Sequence, residues 1–130
     1  MMTDPISDML TRLRNASVVH KTEIQLPFST VKFAIAKILE KEGFVGHVER
    51  AEANKRPVLS IGLVYDGKEP RLRSLKRISK PGLRVYAKAD ALPRVMSGFG
   101  VAIISTPNGL MTNKEARTRR LGGEVICEVF

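Results

Sequence analysis

The sequence predicts an α+β protein made of two small α/β domains packed together: an N-terminal αβαββ unit, residues 1–67, and a basic, mostly antiparallel β unit with short helices, residues 68–130. Three observations lead there. Helical and alternating apolar periodicities are interspersed along a chain that is 43% hydrophobic, enough for a core of Val, Ile, Leu, Ala and Met. The turn formers of Asp66-Gly67-Lys68-Glu69-Pro70 interrupt the pattern near the middle, in a stretch too short for a free linker, so the halves are expected to touch. Charge then changes: residues 1–67 hold 9 Lys and Arg against 8 Asp and Glu, whereas residues 68–130 hold 13 against 5.

Asp4-Pro5 reads as a helix N-cap followed by the first helical position, and Ile6, Met9, Leu10 and Leu13 recur at helical spacing, giving a helix over about residues 5–16. Glu23 to Leu26 alternates as a short strand that Pro27 breaks. Ser29 caps a second helix with Phe28 and Phe33 at staple positions and Val31, Ala34, Ile35, Ile38 and Leu39 as its buried stripe; Gly43 ends it. Strands follow at about 44–53 and 58–65, the latter with Leu59, Ile61, Leu63 and Tyr65 on one face.

In the second half, Arg71 to Ile78 fits either strand or helix, and Ser79-Lys80-Pro81-Gly82 is a turn. Leu83 to Lys88 reads as a strand, Asp90 as the cap of one helical turn through Met96, and Val101 to Ile104 as a buried strand. Thr112-x-x-Glu115 is a capping box opening a short helix that Gly122-Gly123 is expected to end, before a last strand in which Val125, Cys127 and Val129 alternate.

Composition narrows the function. A half-chain with a net charge of +8 repels itself when alone, so an anionic partner is implied, nucleic acid first. The single Cys127 falls on an apolar strand face, His20 and His47 stand apart from any paired carboxylates, and no nucleotide-binding glycine loop is present, so no enzyme, cofactor or metal is expected. The start lacks a secretory pattern and no apolar run reaches membrane-spanning length, which predicts a soluble cytoplasmic protein with no membrane partner.

Arg84, Tyr86 and Lys88 occupy alternate positions, so on a strand they share one face while Val85 and Ala87 turn to the core. A ring between two cations suits RNA, where a base lies on the aromatic and the cations meet phosphates; a solvated strand face is the other reading. Ser105-Thr106-Pro107-Asn108-Gly109 follows the apolar strand and offers hydroxyls, an amide and an approachable backbone, either for base edges and 2′-hydroxyls or simply as a tight turn. Arg117, Arg119 and Arg120 form a basic helix face, and the helix start at Ser29 is a further candidate for phosphate.

With these residues in view, the chain closely resembles the bacterial form of the small-subunit ribosomal protein number eight family, nearly end to end. The resemblance rests on Asp4-Pro5-Ile6-Ser7-Asp8-Met9-Leu10-Thr11-Arg12-Leu13-Arg14-Asn15, on Ser79-Lys80-Pro81-Gly82-Leu83-Arg84-Val85-Tyr86 and on Gly100 through Met111, followed by Ala116-Arg117 and Leu121-Gly122-Gly123-Glu124. It implies a two-domain α+β protein that binds small-subunit rRNA directly, early in assembly, at an irregular helix of the central domain, beside neighbouring small-subunit proteins. It also implies repression of its own operon mRNA.

By motif position the resemblance places RNA contacts on Ser105, Thr106, Gly109, Tyr86 and Glu124; Arg84, Lys88 and Asn108 join them from the residue pattern. The family usually has a third hydroxyl residue where Pro107 stands, so any contact through that hydroxyl is lost. It often has Lys where Thr30 stands, leaving Lys32 or the helix start at Ser29 to meet phosphate. A free-standing RNA-binding regulator or assembly factor is the alternative, and a protein-interaction adaptor with an acidic partner the third reading.

Overall fold

The computed structural model describes residues 4–130 and has the expected α+β class, with antiparallel sheets. Its contacts gather into two compact units, Pro5–Arg73 and Ser74–Phe130, the second including Asp4.

In the first unit, α1 (Pro5–Val18) buries Met9, Leu10, Leu13 and Ala16 along one face. Strands β1 (Glu23–Pro27), β2 (Val45–Ala53) and β3 (Arg56–Leu63) form a sheet in the order β1-β3-β2, so Pro27 closes β1 rather than ending the chain's pairing before it. Helix α2 (Thr30–Lys41) packs on β2 and starts where the Ser29 hydroxyl accepts from the Lys32 amide at 3.2 Å. The Phe28 and Phe33 rings sit 5.6 Å apart across this start, as the staple positions require. At the far end Gly43 adopts φ +83°, while its amide and that of Phe44 return to the Glu40 and Leu39 carbonyls. That is the Schellman ending.

The buried stripe of α2 differs from expectation. Lys32, Ile35, Ala36 and Leu39 line the inner face at positions i, i+3, i+4 and i+7, and Val31, one residue round the helix, is exposed. β3 also stops at Leu63, so Tyr65 belongs instead to a hairpin of β4 (Tyr65–Asp66) and β5 (Glu69–Pro70).

The second unit is a sheet in the order β6-β10-β8-β9, built from β6 (Leu75–Arg77), β8 (Val101–Thr106), β9 (Gly109–Thr112) and β10 (Gly123–Val129), with β7 (Tyr86–Ala87) also paired to β10. Leu92, Val95, Ala102, Ile104, Met111, Ala116 and Val125 form its core. The expected strand 83–88 contracts to Tyr86–Ala87, which pair with Glu124 and Gly123 of β10, and the Val85 carbonyl accepts one further bond from the Val125 amide at 2.8 Å; Leu83 is exposed in a turn closed by the Lys80–Leu83 bridge. The expected helical turn after Asp90 is two 3-10 turns, Ala89–Ala91 and Met96–Gly98.

Helix α3 (Asn113–Arg119) begins as the capping box predicts, with the Glu115 amide donating to Thr112 Oγ1 at 3.1 Å. Gly122-Gly123 does not end it. Arg120 does, at φ 58°, with its amide returning to the Arg117 carbonyl and the Leu121 amide to the Ala116 carbonyl. The glycines serve packing instead: a Cβ on Gly122 would lie 2.6 Å from the Ala87 carbonyl oxygen, and one on Gly123 would lie 2.1 Å from that of Ser105. Only a residue without a side chain lets the start of β10 lie this close to its neighbours.

Candidate nucleic-acid interface

Three strands converge at the start of β10. Glu124 pairs with Tyr86 of β7 on one side and with Ser105 of β8 on the other, so residues far apart in sequence form one lateral row. Directly opposed residues in antiparallel strands project to the same face. Here that face is the outer one, since Val85, Ala87, Ile104 and Val125 turn to the core while Tyr86 is 70% exposed. Arg84 and Lys88 are exposed on either side of Tyr86, giving the alternation read in the sequence although the strand itself is only two residues long.

Glu124 is the anchor of the row. Its Oε2 accepts from the Ser79 hydroxyl and from Arg84 Nη1 at 3.0 Å, and the fully buried Ser79 in turn accepts the Val85 amide at 3.1 Å. Burial opposes ionisation of this carboxyl, but the Ser79 hydroxyl, the Arg84 guanidinium and the more distant Arg77 together hold its pKa below the ordinary value of 4.5. The group is therefore a charged acceptor at neutral pH. Arg84 is fixed by the same pair, which neutralises part of its charge.

The hairpin after β8 separates residues that the sequence grouped together. β8 runs on to Thr106, so strand alternation sends Ser105 to the outer face and Thr106 inward, where it is only 8% exposed. Thr106 Oγ1 donates to the Gly109 carbonyl at 2.8 Å and accepts the Asn108 amide at 3.1 Å, which uses its single proton inside the turn. Pro107, Asn108 and Gly109, the last at φ +106°, form the exposed tip.

An open depression of about 840 Å³ lies over this row, with Tyr86, Lys88, Ser105, Pro107, Glu124 and Arg120 among its walls and the glycine pair in its floor. Arg117 Nη2 and Lys114 Nζ are drawn away to the Leu92 and Gly98 carbonyls at 3.4 and 2.9 Å. Ser29 and Lys32 belong to the Pro5–Arg73 unit; the Ser29 hydroxyl caps α2, and Lys32 is 8% exposed. Sequence reading grouped Arg120 with Arg117 and Arg119 on one basic helix face and passed over Ser79 and Asn113, the latter a buried amide that accepts from the Ala102 amide at 3.1 Å and donates to the Pro93 carbonyl at 2.8 Å. The glycine pair just before a strand was the available signal of close backbone approach.

Comparison with known proteins decides the family: residues 4–130 match the pattern of ribosomal protein S8. The chain belongs to that family. It is 56% identical to the small ribosomal subunit protein uS8 of Oceanobacillus iheyensis and 58% identical to that of Caldanaerobacter subterraneus subsp. tengcongensis, in each case over 100% of this chain and 99% of the relative. The protein of the same name from Exiguobacterium sibiricum is 52% identical over the same shares. Membership makes this a ribosomal protein, a structural constituent and not an enzyme. Among the described residues no helix is long and apolar enough to cross a membrane, and no cluster of His, Cys, Asp and Glu could hold a metal ion. Burial pushes the Cys127 thiol up to about 12, so at neutral pH it is a packed apolar group.

Proposed function

We propose that this chain binds small-subunit rRNA directly, in the central domain, through the outer face that carries Tyr86, Glu124 and Ser105, and that this contact helps the subunit assemble. The observation that carries the reading is the lateral row across β7, β10 and β8. It sets a stacking ring, an anionic acceptor and a hydroxyl side by side, within a unit whose charge is strongly positive.

Each member has a distinct task. The exposed Tyr86 ring takes a base or sugar by stacking, which is sequence-tolerant, while Lys88 meets phosphate. Ser105, whose hydroxyl makes no hydrogen bond among the described residues, and the exposed Asn108 amide reach base edges and 2′-hydroxyls. Glu124 Oε1 accepts from an RNA donor and repels misplaced phosphate, which makes it an element of discrimination. Gly109 lets the RNA approach the tip closely, and Arg84 completes the face. In the other unit the Ser29 hydroxyl caps α2 and Lys32 is buried, so a secondary phosphate contact there falls to the helix start at Ser29 rather than to the lysine. The same chemistry would take a messenger folded to the same shape, and repression of the protein's own operon mRNA is part of the proposal.

Footprinting of the purified protein on whole small-subunit rRNA, with the operon transcript as competitor, tests it. A single protected region in the central domain, displaced by the operon transcript, is expected. Tyr86→Phe should bind nearly as parent, and Tyr86→Ala should lose about 1 to 3 kcal/mol. Diffuse protection, or equal binding by all three proteins, would overturn the assignment.

A further inference from the structure

Arg120 holds a conformation that its side chain disfavours. It occupies the left-handed position of a Schellman ending, at φ 58° and ψ 43°, with the Arg120 amide bonded to the Arg117 carbonyl at 3.1 Å and the Leu121 amide to the Ala116 carbonyl at 2.8 Å. That ending needs a left-handed residue here because Leu121 and Ala116 both pack on the core. Glycine fills such a position without a steric penalty, whereas any other L-residue brings its Cβ close to the following carbonyl. A strained residue kept at a surface site points to a role for its side chain.

Three further facts give that role a chemistry. Arg120 is exposed and lines the same depression as Tyr86, Lys88 and Ser105. The carboxylate in this depression, Glu124, already has its Oε2 engaged by Ser79 and Arg84. Among the described residues no hydrogen bond or ion pair holds the Arg120 guanidinium, in contrast to Lys114 and Arg117 earlier on the same helix. A planar fork of donors, unpaired and set in a groove beside a stacking ring, matches a phosphodiester.

We infer that Arg120 is a phosphate-binding residue of this groove, taking a backbone phosphate of the strand whose base or sugar lies on Tyr86. The inference rests on the RNA-binding reading above and adds a residue to it. The left-handed turn places Arg120 at the wall of the groove, and the bound phosphate compensates the strain.

The test replaces Arg120 by Gly in the full chain and measures thermal unfolding and binding to a small-subunit rRNA transcript over a range of salt. Removing the Cβ relieves the turn, so the unfolding midpoint should stay level or rise, while affinity at 0.1 M salt falls roughly tenfold. The log-log salt slope should drop by about 0.7 to 0.9. Lys76→Ala, an equal charge change at an exposed position of β6 away from the groove, should leave the slope nearly unchanged. A lowered midpoint would show that Arg120 serves the fold, and an equal slope loss in Lys76→Ala would show that only overall charge matters; either overturns the inference. If Arg120→Gly binds as parent while Tyr86→Ala does not, the inference fails and the RNA-binding face stands. If neither weakens binding, the RNA-binding reading itself fails.

Discussion

Gly123→Ala should be among the most damaging single-methyl changes in this protein. The added Cβ would lie 2.1 Å from the Ser105 carbonyl oxygen, 2.9 Å from its carbon and 3.2 Å from Thr106 Cα, all backbone atoms that no rotamer change can move. Ordinary contact begins at 3.4 Å, so the end of β8 has to retreat by about 1.3 Å, the difference between 3.4 and 2.1. A backbone hydrogen bond tolerates only a few tenths of an ångström. The Glu124–Ser105 pairing therefore opens. Forced overpacking costs about 1–3 kcal/mol and a lost backbone bond about 0.5–1.5 kcal/mol, so the loss should be about 2 to 4 kcal/mol. That is a large part of the roughly 5–15 kcal/mol by which a protein of this kind is stable. Urea unfolding followed by circular dichroism reads it directly. Gly109→Ala is the control, because Gly109 has a positive φ but open space around a Cβ, leaving only backbone strain of about 1–2 kcal/mol. A Gly123→Ala protein within about 0.5 kcal/mol of the parent would refute the close approach of β10 and β8, since that is the range of a surface change away from any packed feature.

Three more expectations come from the same unit. Thr106→Val should lose stability by about 1–2 kcal/mol in urea unfolding, because two turn hydrogen bonds go and water can replace them only in part, while Thr106→Ser should keep most of it; equal stability of all three proteins would mean that the hydroxyl is not committed to the turn. Asn113→Ala strands the buried Ala102 amide and the Pro93 carbonyl and should cost about 2–5 kcal/mol in the same assay. Glu124 has a folded-state pKa below 4.5, so its contribution to stability is complete above that value and is lost as pH falls through the folded value. The melting temperature of the parent should accordingly fall more steeply below pH 4.5 than that of Glu124→Gln; parallel curves would remove the Ser79–Glu124–Arg84 network as a source of acid sensitivity.

Local chemistry made much of the fold legible. The two caps at Ser29 and Thr112, the Gly43 ending, the Phe28–Phe33 staple and the apolar run of β8 each depend on residues within a few positions of one another. Where reading failed, the deciding partner was distant. Nothing near Leu83 says that the pairing with β10 will begin only after it, and nothing near Gly122-Gly123 says that the pair faces the backbones of Ala87 and Ser105 rather than ending a helix.

The candidate site divides in the same way. Alternation along one strand exposes Arg84, Tyr86 and Lys88 as the sequence suggested, the polar loop after the apolar strand pointed to Ser105, and the family resemblance singled out Glu124. The sequence by itself thus determined the class of fold, the basic half and most of the helix ends, because hydrogen-bond caps, helical periodicity and net charge are short-range or additive properties of the chain. Only the tertiary structure decided that Tyr86, Glu124 and Ser105 stand in one row, that Thr106 turns inward, that Lys32 is buried and that Arg120 lines the groove. Those facts depend on which strands pair and in what register, and register is set by the packing of the whole sheet face rather than by any residue's neighbours in sequence.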